Sequence, residues 1–172
     1  LVEDQLFVRV AGILNRRDGF IKNLSGGLLN GKDTKAIRTS LRYLPNRNTV
    51  ADLIINFQRD TPPGTAFRSG TYAPPGGDTS PFSFADLERG EALGLDRTVG
   101  GVTLLVDHRL NSQWDLTSIS AYRFFDSYED FDGDGSQAPV LSLTEEAIGN
   151  QISQELRLNY TGNQGFSGFG GI

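Results

Sequence analysis

The sequence predicts an all-β chain, an antiparallel meander of about seven strands that forms part of a transmembrane β-barrel. Three observations carry that prediction. Apolar residues recur at every second position, the connections alternate between long and short, and the polar strand face carries a dense, mixed set of charges. Period-two alternation marks a strand with two unlike faces, and few windows show the i, i+3, i+4, i+7 spacing of a helix.

The first strand shows the pattern plainly. Leu6, Val8, Val10, Gly12 and Leu14 share one face, and Arg9, Ala11, Asn15 and Arg17 share the other. In the second strand Ile37, Thr39, Leu41 and Tyr43 oppose Arg38, Ser40 and Arg42, and in the third Ala51, Leu53, Ile55 and Phe57 oppose Asp52, Ile54, Asn56 and Gln58. Val102, Leu104, Val106 and Leu110 then oppose Gly101, Thr103, Asp107 and Arg109. The stretch from Trp114 to Phe125 is strand-like but ambiguous in parity, because placing Arg123 inside leaves Ser118 and Ser120 outside with Leu116, Tyr122 and Phe124. Ile152, Leu156, Leu158 and Tyr160 oppose Ser153, Glu155, Arg157 and Asn159, and Gly165 to Ile172 reads as a seventh strand cut short.

The connections divide into two kinds. Pro45–Thr49, Asn111–Gln113 and Thr161–Gln164 are tight turns of Pro, Asn, Gly and polar residues. Between them run Asn23–Lys35, the Pro/Gly-rich Asp60–Asp96, and Asp130–Asn150. Loops beyond about 12–15 residues are uncommon in compact domains and usually functional. In a meander all three fall at one end.

Two architectures accommodate the alternation. A soluble, secreted β-sandwich binding carbohydrate or calcium would bury one face of each sheet. It leaves the loop asymmetry unexplained, and also a polar face bearing Arg9, Arg17, Arg38, Arg42, Asp52, Asp107, Arg109, Glu155 and Arg157. A transmembrane barrel predicts both, with apolar residues toward lipid, polar residues toward the lumen, short periplasmic turns and long outer loops. Tyr43, Trp114 and Tyr160 sit beside the short turns, where interfacial aromatics belong. Arg16 and Arg59 break the outward pattern only at the long-loop ends. There a lipid-facing cation costs about 0–1 kcal/mol, against about 2–4 kcal/mol at the midplane.

Composition removes several function classes. The chain of 172 residues has no Cys and a single histidine, so thiol catalysis, Cys-based metal centres and multi-His sites are excluded within it. With 16 basic and 21 acidic residues its net charge is −5, a poor footprint for nucleic acid. There is no Met, no signal peptide and no apolar run near the ~18 residues of a spanning helix. The expectation is an internal fragment of a longer protein.

Several segments also resemble a known family. Arg9-Val10-Ala11-Gly12, with Arg16 to Asn23 after it, is similar to a barrel strand and loop of TonB-dependent outer-membrane receptors. Leu116 to Arg123 followed by Asp130-Phe131-Asp132 resembles another, and Ser153-Gln154-Glu155-Leu156-Arg157-Leu158 looks like a strand common in the family. The resemblance spans nearly the whole chain, in family order. It implies that residues 1–172 are part of the large barrel domain of such a receptor, of about 22 strands, in the outer membrane of a Gram-negative bacterium. It further implies contact with outer-membrane lipid, a plug domain inside the barrel, and energy from TonB through that plug. The implied ligand is small and scarce: a ferric siderophore, sometimes cobalamin or an oligosaccharide. Plug, TonB-contacting segment and closing strand are missing from this sequence. A porin-like channel without TonB dependence is a further rival.

No cofactor and no catalytic residues are expected, and the chain is not read as an enzyme. Asp130, Asp132 and Asp134 form the D-x-D-x-D-G start of a calcium loop, yet Leu141 stands where the bidentate acid should be, so an acidic loop tip is the plainer reading and no metal site is assigned. His108 with Asp107 and Ser112 lacks anything that would set triad geometry. Gly26 to Lys32 approaches a phosphate-binding loop, but Asp33 replaces its hydroxyl residue. The lumen-facing arginines Arg9, Arg38, Arg42 and Arg157 either guide anions, pair with plug carboxylates, or form a network with Asp52, Asp107 and Glu155. Phe67, Tyr72, Phe82 and Phe84 in the longest loop are candidates for a ligand-binding mouth.

Overall fold

The computed structural model describes residues 4–68, 87, 90–162 and 165–172. Among the described residues nine strands follow in order: β1 (Leu6–Arg17), β2 (Ile21–Lys22), β3 (Leu28–Leu29), β4 (Lys32–Asn46), β5 (Thr49–Asp60), β6 (Gly94–Arg109), β7 (Trp114–Asp132), β8 (Ser142–Thr161) and β9 (Ser167–Gly171). A short 3-10 turn, Gly90–Ala92, precedes β6. Seven strands form one sheet in the order β1-β4-β5-β6-β7-β8-β9, and β2 and β3 make a separate hairpin. Every neighbouring pair is antiparallel. The chain is thus the all-β, seven-stranded meander its alternation predicts.

The strands outrun the sequence pattern at the long-loop end. β4 starts at Lys32, β6 at Gly94 and β8 at Ser142, while β7 continues to Asp132. Those segments are rich in Gly, Asp and Glu and read as loop. Antiparallel neighbours satisfy each other's backbone groups wherever both chains continue, and polar pairs then stitch the extension. Thr144 donates to Asp130 across β7 and β8, and Thr34 donates to Asp60 across β4 and β5 at 2.8 Å.

Register sorts the side chains into two faces. One cross-strand row reads Val10, Thr39, Ile55, Val102, Tyr122, Ile152, and its immediate neighbour reads Ala11, Arg38, Asn56, Gly101, Arg123, Gln151. Arg123 therefore lies on the polar face, which settles the parity of β7. Its consequence, Ser118 and Ser120 on the apolar face, is accommodated by Gln154, which bonds both hydroxyls. The apolar face is bare: Val10 is 62% exposed and Ile152 80%. Among the described residues no second sheet lies over it, so the packing a β-sandwich requires is not formed.

Short turns are built by asparagine. Asn46 Oδ1 accepts from the Asn48 N–H at 2.9 Å and the Thr49 hydroxyl at 3.0 Å. Asn111 Oδ1 accepts from the N–H groups of Gln113 and Trp114 at 2.9 and 3.1 Å. Such side-chain acceptors mimic a backbone turn. Beside these turns Trp114 and Tyr160 pack with ring centroids 4.7 Å apart.

Among the described residues, the buried large apolar side chains are not in the large sheet. Ile21, Leu29, Leu87 and Leu93 cluster at the long-loop end, with Ala66 against them.

Candidate functional site

That cluster is the centre of a cap at the long-loop end of the sheet. The β2–β3 hairpin contributes Ile21 and Leu29, and the segment before β6 contributes Leu87 and Leu93. Asn23 bonds the backbone of Leu87 in both directions, accepting its N–H at 2.8 Å and donating to its carbonyl at 3.3 Å. Asn30, at a left-handed φ of 62°, connects three segments. Its carbonyl accepts from Arg17 at 2.8 Å, its side chain accepts the Ala66 N–H at 2.8 Å, and its own N–H donates to Gly64 at 2.9 Å. Gly90 has φ +54°, and a Cβ there would stand 2.9 Å from the Ser25 carbonyl oxygen, so both conformation and space call for glycine.

Asp60 ties three strands of the sheet together at its long-loop end. Its buried carboxylate accepts from Thr34 on β4, from Gln58 beside it, and from the Arg97 guanidinium on β6 at 2.8 Å. Read from sequence it was the first residue of a loop. Its hydroxyl and guanidinium partners, Thr34 and Arg97, come from strands far apart in the chain, and only the register brings them to it.

The Asp130–Gly135 segment turns its carboxylates on its own backbone and near neighbours. Asp132 accepts the N–H groups of Asp134 and Gly135. Asp134 accepts the Ser136 N–H and hydroxyl with one oxygen and the Val140 and Leu141 N–H groups with the other. Burial pushes the Asp134 carboxyl up, but the Ser136 hydroxyl and the Leu141, Ser136 and Val140 N–H groups outweigh it and hold it below the ordinary carboxylate value. Among the described residues no three His, Cys, Asp or Glu side chains converge on a common point. Gln137 donates to Ser25 at 3.3 Å, tying this tip to the cap. Phe67 meets Phe131 with ring centroids 5.8 Å apart. Of the mouth aromatics, only Phe67 lies among the described residues; Tyr72, Phe82 and Phe84 lie outside them.

Below the cap a cavity of about 530 Å³ opens between Arg16, Arg17, Asp18, Lys32, Asp33 and Tyr128. Its mixed charges suit a polar solute, and its volume falls in the range of small-molecule sites, about 300–1,000 Å³.

The four arginines singled out from sequence divide into two pairs. Arg42 holds Asp52 with two hydrogen bonds of 2.8 and 2.9 Å, and Arg157 holds Glu155 while lying over the Phe169 ring at 5.3 Å. Arg9 and Arg38 make no hydrogen bond or ion pair among the described residues, and Arg123 stands with them on the same face. Arg123 was absent from the sequence-derived site; the parity of β7 is the signal that places it. Asp107 accepts the Thr117 hydroxyl at 2.7 Å on the polar face, whereas His108 meets Thr49 at 2.8 Å on the opposite one, so no triad forms. Gly26 and Gly27 are in a turn and Lys32 opens a strand, so the phosphate-loop likeness has no helix behind it.

No protein-family profile matches the chain. No curated protein matches it. Among solved structures it is similar to the ferric yersiniabactin uptake receptor FyuA from Yersinia pestis, with a TM-score of 0.69 and 18% sequence identity. The match covers 95% of this chain and 24% of that one, so the chain spans about a quarter of the receptor's length. The likeness shows the fold. The seven-stranded meander is a stretch of β-barrel wall.

Proposed function

We propose that this chain forms part of the wall and mouth of an outer-membrane receptor of a Gram-negative bacterium. In this reading residues 1–172 belong to the barrel domain, with their apolar face toward lipid. A plug domain outside this sequence gates the lumen and is driven by TonB. The ligand is a scarce small molecule such as a ferric siderophore, captured with help from Phe67 and its loop companions Tyr72, Phe82 and Phe84. Import then requires binding and passage but no bond-making chemistry by these residues.

One observation carries the reading: a bare apolar band on one face of the meander and arginines with carboxylates on the other. A contiguous apolar surface of this kind demands an apolar partner, and lipid fits the period-two pattern. The likeness to a ferric siderophore uptake receptor supports the same assignment. The sandwich alternative needs a covering sheet, and none of the described strands supplies it.

The test is fractionation of cells that express the full-length protein, followed by electrophoresis with and without heating. Recovery in the outer membrane and a heat-dependent shift in mobility are expected. Recovery as a soluble protein would overturn the reading. Growth on ferric siderophores under iron limitation, with residues 67–86 intact or deleted so that β5, β6 and the buried cluster keep their residues, then tests the capture role of the longest loop.

A further inference from the structure

The charges on the lumen-side face are unevenly distributed. Three successive cross-strand rows run Arg9, Ser40, Ile54, Thr103, Ala121, Ser153; then Ala11, Arg38, Asn56, Gly101, Arg123, Gln151; then Ile13, Ala36, Gln58, Val99, Phe125, Gly149. They hold Arg9, Arg38 and Arg123 and not one carboxylate. The row toward the short turns contains Arg42 with Asp52 and also Glu155, which Arg157 holds from the row beyond, and the row toward the cap contains Asp60 with Arg97, so every charge in the two neighbouring rows has an opposite partner. An uncompensated band of positive charge thus lies between two compensated ones.

The same band is hollowed. Ala11 and Ala36 are small where other rows carry large side chains, Gly101 has the Arg123 side chain lying against it, and a cavity of about 460 Å³ lies between Arg38, Arg123, Asn56, Gln58 and Val99. A second hollow of about 320 Å³ is shared by Arg9, Arg38 and Ser40. Arg38 borders both. Arg38 and Arg123 are separated in the sheet by Asn56 and Gly101, three strand spacings or about 14 Å. The two arginines therefore line one basin from opposite sides, with the Asn56 amide on its floor, whereas the Gln58 amide is already committed to Asp60.

We propose that Arg9, Arg38 and Arg123 form a binding track on the barrel wall for a small solute with two or more carboxylate or phosphate groups. Guanidinium forks match such oxyanions with paired hydrogen bonds. A cleft of one sign with low-dielectric walls concentrates counter-ions. The cavity volumes fall in the range of small-molecule sites, about 300–1,000 Å³. Arg42 and Arg157 take no part, because each already holds an acid. The proposal rests on the reading that this face lines the barrel interior.

The test is calorimetric titration of the purified full-length protein with metal-free citrate at low ionic strength, with inorganic phosphate as a second anion and sucrose as a neutral control. Citrate is expected to bind, more weakly as salt rises, and sucrose not at all. Removing one charged hydrogen-bonding partner is worth about tenfold or more in affinity. Arg38→Gln and Arg123→Gln are each expected to show that loss, Arg38→Lys a smaller one, and Arg42→Gln none. Absence of citrate binding by the wild type overturns the proposal, as does an equal loss in Arg42→Gln. So does an unchanged citrate affinity in Arg38→Gln and Arg123→Gln together with a lowered Tm, which would assign the arginines to carboxylates of a polypeptide. Heat-dependent mobility, measured on the same samples, keeps the two readings apart. Its absence in the wild type sinks the barrel, and its presence without citrate binding sinks only the track.

Discussion

Asn23 and Leu87 stand 64 positions apart in the chain and hold each other by two hydrogen bonds, side chain to backbone in both directions. Both are buried, and the pair closes the cap in which Ile21, Leu29 and Leu93 are packed. Asn23→Ala would leave the Leu87 N–H and carbonyl without their partner in a site closed to water, a cost of about 1–3 kcal/mol. The sheet below does not depend on that bond, so the loss should be local. Hydrogen exchange on the full-length protein should show residues 21–29 exchanging faster in the variant and β5 unchanged. Equal acceleration in both would show that cap and sheet open as one unit.

The same pair marks where sequence reading stops. The meander was legible because each strand states its two faces in its own residues, as in Leu6, Val8 and Val10 against Arg9 and Ala11. The tight turn after Tyr43 brings Arg42 to Asp52, only ten positions away, so that pairing was within reach of a sequence argument. Arg123 was harder, because Ser118 and Ser120 are tolerable on the outer face only once Gln154 on the next strand is known to bond them. The cap has no periodic signal at all. Two-residue strands and asparagine contacts between distant loops follow from three-dimensional closure, and Gly- and Asp-rich composition hides them. The upper ends of β7 and β8 were read as loop for the same reason, though Asp130 and Thr144 pair there.

Acid should loosen the β7–β8 tip through Asp134. The carboxyl is held below its ordinary value by hydrogen bonds that outweigh its burial, so the folded loop favours the charged form. The stabilisation is therefore fully present above the ordinary carboxylate value of about 4 and is lost as pH falls through the lower folded value. Between neutral pH and about 5 the loop should not change. Limited proteolysis near residues 133–141 should rise only at the acid end, assayed with an acid-active protease. Asp134→Asn replaces one acceptor oxygen with a donor, and it should raise cleavage at neutral pH and flatten the acid response. A wild-type loop that opens between pH 7 and 5 would assign the effect to another group.

Depth along β6 should govern the cost of a charge on the apolar face. Leu104 and Thr98 share that face, Leu104 opposite Leu53 and Ser120, and Thr98 opposite Arg59 and Asp126. Leu104 lies about midway along β6 between the level of Trp114 and the row of Arg59, where the pattern already admits cations. If the face meets lipid, Leu104→Arg should cost about 2–4 kcal/mol and Thr98→Arg about 0–1 kcal/mol. Thr98→Arg also places a third cation beside Lys35 and Arg59, but Asp96 and Asp126 stand within the same patch to offset it. Folding of the full-length protein into lipid vesicles, followed by its heat-dependent mobility, reads both variants on one scale. In water the order would vanish, because an arginine on an exposed strand face costs little at either position. A Leu104→Arg variant that folds as readily as Thr98→Arg would therefore remove lipid from the apolar face.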